Sequence, residues 1–479
     1  MRESLRRPGV TAALLFAAAA ALSACTILRE VGPHDEGLVL QAAARVSHGE
    51  LPWRDFWWNY GPGQPLLLGG LFKAFGPSLL VWRIVRVAVD ATVALLAWLL
   101  LRRAAPPWLA LLGWLAVAGA MAWPTSPGPN PPALALTLGG VLLARRSPVG
   151  AGALAGLAVA FRPEVGVPGA IAVVLAGGGM RAALGAAGAA LVTVAPFVAL
   201  APGDAWDDTL GFLGRQHLQR LPIPLQYRGG ADPNKVLEFY LPVVLLAGTA
   251  LWAGVSLARR RGDVLWLLAP LAAAALYLVG RPDEFHLLPL SALLAVGLAL
   301  TAAAERASGV RWALVGVLAL IAAHGVERQA GRLLHPPALA AVPGPAGDGV
   351  ETARSDAAAL QALLPRLRGA TLLVAPPRFD RVEVGDPLLY VIAGKANPTR
   401  YDVMQPGVVT TAGVQREMAR DLSRHPPADV VRWEDQRALA TEPNGSSRSS
   451  GVHLLDDWIA RHYRPAGHFG VYSLLTARP

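Results

Sequence analysis

Residues 104–144 read AAPPWLALLGWLAVAGAMAWPTSPGPNPPALALTLGGVLLA and contain no charged side chain. The run is too long for one membrane-spanning helix, which needs roughly 17–25 mainly apolar residues. The Pro- and Gly-rich segment Pro124–Pro132 interrupts it, so the sequence predicts two spans joined by a loop. This pattern indicates an α-helical polytopic membrane protein.

The composition of the 479 residues agrees with that class. The chain is 53% hydrophobic and 16% charged, whereas a soluble domain is roughly 25% charged. The single cysteine excludes an internal disulfide framework and a cysteine-rich metal site. The net charge of +10 does not indicate a nucleic-acid partner, because the arginines form short clusters between long uncharged runs, as in polytopic membrane proteins.

Further apolar runs bring the expected total to about eleven spans. Those runs are 8–28, 78–101, 147–161, 165–180, 182–203, 239–258, 264–280, 285–304 and 312–326. The span at 78–101 contains three charged residues. Arg86 and Asp90 are spaced i, i+4 and are predicted to form an ion pair. Arg83 has no acid three or four residues away, so it is expected to be free for a phosphate.

The basic residues fix the orientation, because loops on the cytoplasmic side are rich in arginine. With the N-terminus inside, eleven spans place every strong cluster inside: Arg2, Arg6 and Arg7, Arg102–Arg103, Arg145–Arg146, Arg181, Arg259–Arg261, and Arg306 with Arg311. The chain then divides into a membrane part at 1–326, with a large first outer loop at 29–77, and an extracytoplasmic α/β domain at 327–479.

Local patterns predict the secondary structure of the outer domain. Strands are expected at 370–375 and 387–392, helices at 356–367, 414–423 and 451–462, and a loop at 442–451.

The N-terminal segment allows two interpretations. Leu22-Ser23-Ala24-Cys25 fits a bacterial lipobox, which would predict cleavage and lipidation at Cys25. An uncleaved first span is preferred, because a lipid anchor is redundant in a chain with ten more spans.

Charged groups at the edge of a bilayer are costly, so their placement is informative. The sequences Arg162-Pro163-Glu164 and Arg281-Pro282-Asp283-Glu284-Phe285-His286 each form a predicted turn between two spans at the outer face. Glu164 and Asp283 fit two interpretations equally well: an ion pair with the arginine that closes the turn, or a place in a binding site. Arg162, Arg281 and His286 favour a bound phosphate.

The first outer loop is the richest in candidate site residues. Leu38, Ala42 and Val46 share one helical face, so residues 35–48 are expected to form a helix on the membrane surface. Asp35 and Glu36 begin this helix, where acids also suit the helix dipole. Trp53, Trp57, Trp58 and Tyr60 form an aromatic cluster, which is either a membrane-interface belt or a platform for a sugar or a lipid.

These residues resemble a known family. The motifs are the Asp35-Glu36 pair, GELPWRDF at 49–56, YGPG at 60–63, FGPSL at 75–79, and an arginine-bearing second span. In this order they resemble the GT-C glycosyltransferases, especially bacterial relatives of the protein mannosyltransferases and of the lipid A aminoarabinose transferases. The likeness covers residues 35–103 best and 161–166 and 280–289 more weakly. Trp53 stands where many relatives have Tyr.

The resemblance implies an enzyme of the bacterial cytoplasmic membrane that moves a sugar from a polyprenyl-phosphate donor to a glycan, lipid or protein acceptor outside, with inversion. It places the general base on Asp35, with Glu36 beside it. Cations would hold the leaving phosphate, and the candidates are Arg83, Arg162, Arg281 and His286. Substrate contacts are expected from Arg54, Asp55, Trp57, Tyr60 and Asp283. A divalent metal, Mg or Mn, is not required, and Asp35, Glu36 and Asp283 are its candidate ligands.

Two other classes remain open. A transporter or flippase of a lipid-linked sugar also needs charges in the membrane, but the sequence has no clear internal repeat, and its charges gather at one face. A non-catalytic protein of envelope assembly would use the outer domain as its working part.

Overall fold

The computed structural model describes residues 8–123, 125, 128–220, 262–281, 284–335, 337–439, 441–442 and 444–479. The first part of the chain is helical. Its helices within the described residues are α1 Pro8–Ala24, α2 Asp35–Ser47, α3 Gly63–Phe75, α4 Leu79–Leu101, α5 Pro107–Met121, α6 Asn130–Leu143, α7 Pro148–Phe161, α8 Pro163–Val173, α9 Gly179–Leu200, α10 Pro202–Trp206, α11 Phe212–Arg215, α12 Leu268–Gly280, α13 Glu284–Ala304 and α14 Ser308–Leu334.

Four helical stretches are long and apolar enough to cross a membrane: 79–101, 163–200, 287–304 and 308–334. Helices α1, α5, α6, α7 and the apolar stretch 265–277 are shorter. Each predicted span outside residues 221–261 coincides with one of the helices, which confirms the membrane fold class. The predicted span at 239–258 lies outside the described residues, so the total of eleven stays a prediction.

Small residues let the membrane helices approach closely. The stretch 163–200 divides into α8 and α9 at a wide turn, where Gly177 has a φ of 111°. A Cβ on Gly152 of α7 would lie 1.9 Å from the Ala182 carbonyl oxygen of α9, and one on Gly156 would lie 2.3 Å from that of Ala186. Glycine at these positions therefore permits the backbone contact that membrane helices use in place of a hydrophobic driving force.

Polar contacts bind α1 to the other helices. Arg86 and Asp90 form the predicted ion pair, with Nε 2.6 Å from Oδ1. The Ser23 hydroxyl donates to Asp90 Oδ2 at 2.9 Å. The Thr26 hydroxyl donates to the Gln329 side chain of α14 at 2.9 Å. Cleavage before Cys25 would separate Ser23 from its buried partner.

The rest of the chain forms the outer domain. Its elements are β1 Leu339–Ala341, β2 Glu351–Ala353, α15 Arg354–Leu363, β3 Leu372–Ala375, α16 Leu388–Ala393, α17 Ala412–Arg424, β4 Asp429–Trp433, α18 Leu454–His462, β5 Tyr463–Phe469 and β6 Tyr472–Ala477. The main sheet has the order β3-β4-β6-β5, with β3 parallel to β4 and the other neighbours antiparallel. Strands β1 and β2 form a separate antiparallel pair.

The predictions for this domain are confirmed except at one element. Strand β3 and helices α15, α17 and α18 fall where they were expected, and 442–451 contains only a short turn of 3-10 helix. The strand predicted at 387–392 is wrong, because these residues form α16. The run from Leu388 to Ile392 is buried throughout, and a short run that is apolar on every side fits a buried helix as well as a strand.

The outer domain covers helix α2. A Cβ on Gly37 would lie 2.4 Å from the backbone nitrogen of Leu388, so α16 packs directly on α2. Arg45 of α2 is 6% exposed and its Nε lies 2.7 Å from Asp402 of the outer domain. The predicted helix at 35–48 is thus confirmed, but it lies beneath the outer domain rather than openly on the membrane surface. Helix α14 continues past residue 326, so the link between the two predicted parts follows Leu334.

Candidate active site

Two neighbouring acids begin α2 and have opposite surroundings. The Asp35 side chain is exposed and lines a cleft. Within the described residues no hydrogen bond or ion pair engages its carboxylate. Glu36 is fully buried, and Arg83 donates to both of its oxygens, from Nε at 2.7 Å and from Nη2 at 3.0 Å. Successive helix residues point about 100° apart, which separates the two carboxylates.

This contact corrects two expectations. Arg83 is not free for a phosphate, because Glu36 of the preceding loop neutralises it. Carbonyl oxygens of Ile27 and Glu30 accept its remaining hydrogens. Glu36 is likewise committed to a buried ion pair and does not face the cleft. Both residues hold α2 against α4.

The cleft lies between α2, the aromatic loop and the outer domain. It is partly open to solvent. Its lining is Asp35, Leu38, Val39, Trp57, Trp58, Asn59, Tyr60, Gly128, Val403 and Gln405.

The aromatic loop forms one wall of this cleft. Trp53, Trp57 and Trp58 are 3%, 6% and 3% exposed, which excludes the membrane-interface belt for these three residues. The Trp53 indole donates to the Trp58 carbonyl at 2.7 Å, and the ring centroids of Trp58 and Tyr60 are 5.5 Å apart, edge to face. Trp57 and Tyr60, the two aromatic residues expected to contact substrate, both line the cleft with Asp35.

Arg162 lies behind Tyr60, in the turn between α7 and α8. It is 2% exposed, and its Cζ lies 4.6 Å from the ring centroid of Tyr60 and 4.5 Å from that of Tyr277. Its Nε donates to Glu164 at 2.6 Å. Its Nη1 is buried without a hydrogen-bond partner among the described residues. A buried guanidinium with a spare donor is suited to a phosphate oxygen.

Close backbone contact places Tyr60 over this arginine. A Cβ on Gly61 would lie 2.1 Å from the Ala160 carbonyl oxygen at the end of α7, and one on Gly63 would lie 2.9 Å from the same atom. The YGPG sequence therefore packs onto the residues that immediately precede Arg162. Burial raises the pKa of the Tyr60 phenol, so this group remains a neutral donor.

A second opening lies on the far side of Arg162, among the membrane helices. It is lined by Asn130, Leu134, Thr137, Glu164, Val165, Pro168, Pro270, Ala273, Ala274, Tyr277, Pro289 and Leu293. We call it the membrane groove. Because Tyr60 lines the cleft while Glu164 and Tyr277 line the groove, Arg162 stands between the two spaces.

Arg281 does not join this site. Its guanidinium contacts both oxygens of Glu442, with Nη1 2.9 Å from Oε2, and its Nη1 lies 3.6 Å from Glu383. Burial, and next the charge of Glu442, raises the pKa of Glu383 to about 7. The positive charge of Arg281, which was predicted to bind a phosphate, is thus balanced by two carboxylates of the outer domain. Sequence spacing could not reveal these partners.

Arg54 and Asp55 also lie elsewhere. The Arg54 guanidinium forms an ion pair with the neighbouring Asp55, with Nη2 2.7 Å from Oδ2. The backbone amide of Leu51 donates a hydrogen bond to the same carboxylate and closes the turn. Neither residue lines the cleft, so the structure does not bring them together with Asp35. Asp283 lies outside the described residues, and the side chain of His286 is not described.

Of the expected metal ligands, Glu36 is bound by Arg83 and does not line the cleft with Asp35, and Asp283 lies outside the described residues. Ligand atoms of Asp380, His453 and Asp456 in the outer domain lie within 4.8 Å of one another. Their carboxylates are already bound, that of Asp380 by Arg378 and that of Asp456 by Arg432. The donor set is compatible with a divalent cation but does not contain a free acid.

Sequence reasoning missed the contribution of the outer domain to the cleft. Val403 and Gln405 belong to an irregular segment without a recognisable motif, and only the tertiary fold brings them to Asp35. Asn59 could have been found, since it stands within the aromatic run.

Comparisons with known proteins identify the fold. No family model and no curated protein matches the sequence. The structure is similar to ArnT from Cupriavidus metallidurans, both bound to undecaprenyl phosphate (TM-score 0.54) and in the apo state (0.56), at 14% identity over 98% of this chain and 99% of ArnT. It is also similar to the oligosaccharyltransferase AglB from Archaeoglobus fulgidus in complex with an inhibitory peptide and a dolichol-phosphate (TM-score 0.51, 12% identity, 98% of this chain and 74% of AglB).

These likenesses show that the chain has the GT-C fold of integral membrane proteins. The expected GT-C-like architecture, a helical membrane part with a small outer domain, is confirmed at that level.

Proposed function

We propose that the protein is an integral-membrane glycosyltransferase that moves a sugar from a polyprenyl-phosphate donor to a hydroxyl acceptor. One observation carries the proposal: an unpartnered carboxylate, Asp35, and a buried arginine with a spare donor, Arg162, lie on either side of Tyr60. The named ligands of the similar structures, undecaprenyl phosphate and dolichol-phosphate, support a donor of this kind.

The arrangement fits the three parts of such a donor. In this proposal the start of the polyprenyl chain enters the membrane groove, whose lining is mainly apolar. Arg162 holds the phosphate between groove and cleft. The sugar ring then lies in the cleft against Trp57, Trp58 and Tyr60, because aromatic faces suit the apolar face of a sugar.

In the proposed reaction Asp35 acts as the general base. The acceptor oxygen attacks C1 of the sugar and its proton passes to the Asp35 carboxylate. The bond between C1 and the phosphate oxygen breaks, and the polyprenyl phosphate leaves with the electron pair. This single displacement inverts the anomeric centre. Arg162 stabilises the leaving phosphate, whose charge grows as that bond breaks.

The proposal places the enzyme in the bacterial cytoplasmic membrane, with the N-terminus inside and the outer domain outside. The acceptor is a glycan, a lipid or a protein. A divalent cation, Mg or Mn, is not needed for the proposed steps.

The test is sugar transfer from a panel of radiolabelled polyprenyl-phosphate sugars, comparing wild type with Asp35→Asn. We expect one donor to turn over and the variant to lose about 10²- to 10⁴-fold in kcat while it still binds the carrier. Asp55→Asn is the matched control, since it removes a carboxylate of the same loop outside the cleft. Equal turnover by wild type and Asp35→Asn would refute the role of Asp35, whereas no turnover of any donor by wild type would favour a transporter.

Arg162→Gln tests the phosphate site independently. We expect weaker carrier binding together with slower transfer. Arg103→Gln, far from the cleft on the opposite face, is the control. Unchanged carrier binding by Arg162→Gln would contradict the placement of the phosphate.

A further inference from the structure

His34 makes contacts that determine its tautomer. It directly precedes Asp35 and is 6% exposed. The backbone amide of Gly385 donates to His34 Nδ1 at 3.3 Å. The atom of Gln405 placed 3.0 Å from His34 Nε2 is its side-chain nitrogen, and the oxygen and nitrogen of this amide are interchanged by a 180° flip. Because Nδ1 accepts a hydrogen bond, the proton of the neutral imidazole is on Nε2.

This tautomer fixes the orientation of Gln405. A neutral imidazole has one acceptor nitrogen, so Nε2–H must donate to the Gln405 amide, which therefore presents its oxygen to His34. The oxygen and nitrogen ends of a glutamine amide are assigned from such hydrogen-bond networks. The NH₂ end of Gln405 then faces away from His34. Gln405 lines the cleft together with Asp35, and no partner engages the far end of its amide in the described part of the chain.

We propose that Gln405, held in place by His34, donates a hydrogen bond to the attacking hydroxyl oxygen of the acceptor. This inference rests on the proposed glycosyl transfer. A hydroxyl group has one hydrogen and two lone pairs. Its hydrogen points to Asp35, one lone pair accepts from Gln405, and the other attacks the sugar. Gln405 is thus a substrate-binding residue that the outer domain contributes, and His34 is a positioning residue that acts through it.

The burial of His34 keeps this arrangement intact. Desolvation lowers the pKa of the imidazole, so it remains neutral and Nδ1 remains an acceptor for Gly385. Gly385 is itself held close, since a Cβ there would lie 2.7 Å from the Met404 side chain beside Gln405.

The first experiment compares wild type with Gln405→Met, which keeps the side-chain length and removes the donor. Loss of one neutral hydrogen bond to the acceptor raises the acceptor KM about 3- to 10-fold. The donor KM and the carrier affinity are expected to stay at the wild-type value. Gln436→Met, an exposed position of the outer domain, is the control. An unchanged acceptor KM, or an equal change in the donor KM, would overturn the role of Gln405.

The second experiment separates positioning from direct contact. If His34 acts through Gln405, His34→Ala raises the acceptor KM in wild type and adds nothing in the Gln405→Met background. Additive effects would show that His34 does not act through Gln405.

A third measurement does not depend on turnover. Nitrogen NMR of histidine-labelled protein, with His34 assigned by its loss in His34→Ala, should show a protonated Nε2 and an unprotonated Nδ1. The opposite tautomer would overturn the proposed orientation, whatever the activity. If wild type transfers no sugar, the proposed function fails, whereas the NMR result still decides the arrangement of His34 and Gln405.

Discussion

Replacing Glu36 with Gln should destabilise the protein far more than replacing its neighbour Asp35 with Asn. Glu36 and Arg83 are both fully buried, and Arg83 donates two hydrogen bonds to the Glu36 carboxylate. Removing one partner of a buried pair costs about 3–5 kcal/mol, because the other charge is left uncompensated. The Asp35 carboxylate has no partner among the residues that the structure describes, so its neutral variant should unfold at the wild-type temperature.

The assay is thermal unfolding in detergent, followed by the fraction that remains monodisperse after heating. The double variant Glu36→Gln with Arg83→Met is the informative control. It removes both charges and should recover much of the lost stability, since apolar replacement of a buried pair is often neutral or stabilising.

Two results would contradict this reasoning. If Glu36→Gln unfolds at the wild-type temperature, the ion pair contributes little. If it folds normally yet loses turnover as Asp35→Asn does, Glu36 takes part in catalysis and its separation from the cleft is wrong.

Three further predictions follow from the described contacts. Gly61→Ala should slow sugar transfer and lower the free energy of unfolding by about 1–3 kcal/mol. The added Cβ would clash with the Ala160 carbonyl oxygen and displace Tyr60 from Arg162. Gly70→Ala, with open space around the added Cβ, is the control. Burial raises the pKa of Asp386 from 3.8 to about 7. Between these pH values the folded state keeps a proton that the unfolded state has lost, so the free energy of unfolding should fall as pH rises from about 4 to 7. Denaturation of Asp386→Asn should show a flatter pH dependence. Cys25→Ala should leave the intact mass otherwise unchanged and the first helix retained, and a wild-type mass lacking residues 1–24 would show that the lipobox is used.

The membrane helices were predictable because each one can be recognised from the length and hydrophobicity of its own segment. Uncharged runs such as 104–144, and prolines or glycines between them, mark helix ends without reference to the rest of the fold. The Arg86–Asp90 pair was also predictable, since i, i+4 spacing is a local property. Residues 387–392 failed because a buried run has no periodicity to separate strand from helix.

The candidate site was predictable only for residues whose role depends on their own element. Asp35 and Tyr60 were found from the loop sequence, and Arg162 from its turn. Arg83 and Arg281 were misjudged because their partners, Glu36 and Glu442, lie far away in sequence. Gln405 carried no signal at all, because its place in the cleft depends on docking between the outer domain and α2.

That docking makes the outer domain a structural component of the membrane part. Helix α2 carries Asp35 on a backbone whose other faces are enclosed by α3, by Arg83 and by α16, with Arg45 bound to Asp402. A chain shortened after Leu334 would expose the apolar face of α2 and leave the Arg45 guanidinium without the Asp402 carboxylate. An outer domain taken from another protein would therefore pack on these helices only if its own α2 were transferred with it. In such a chimaera the outer domain and α2 would have to come from the same protein.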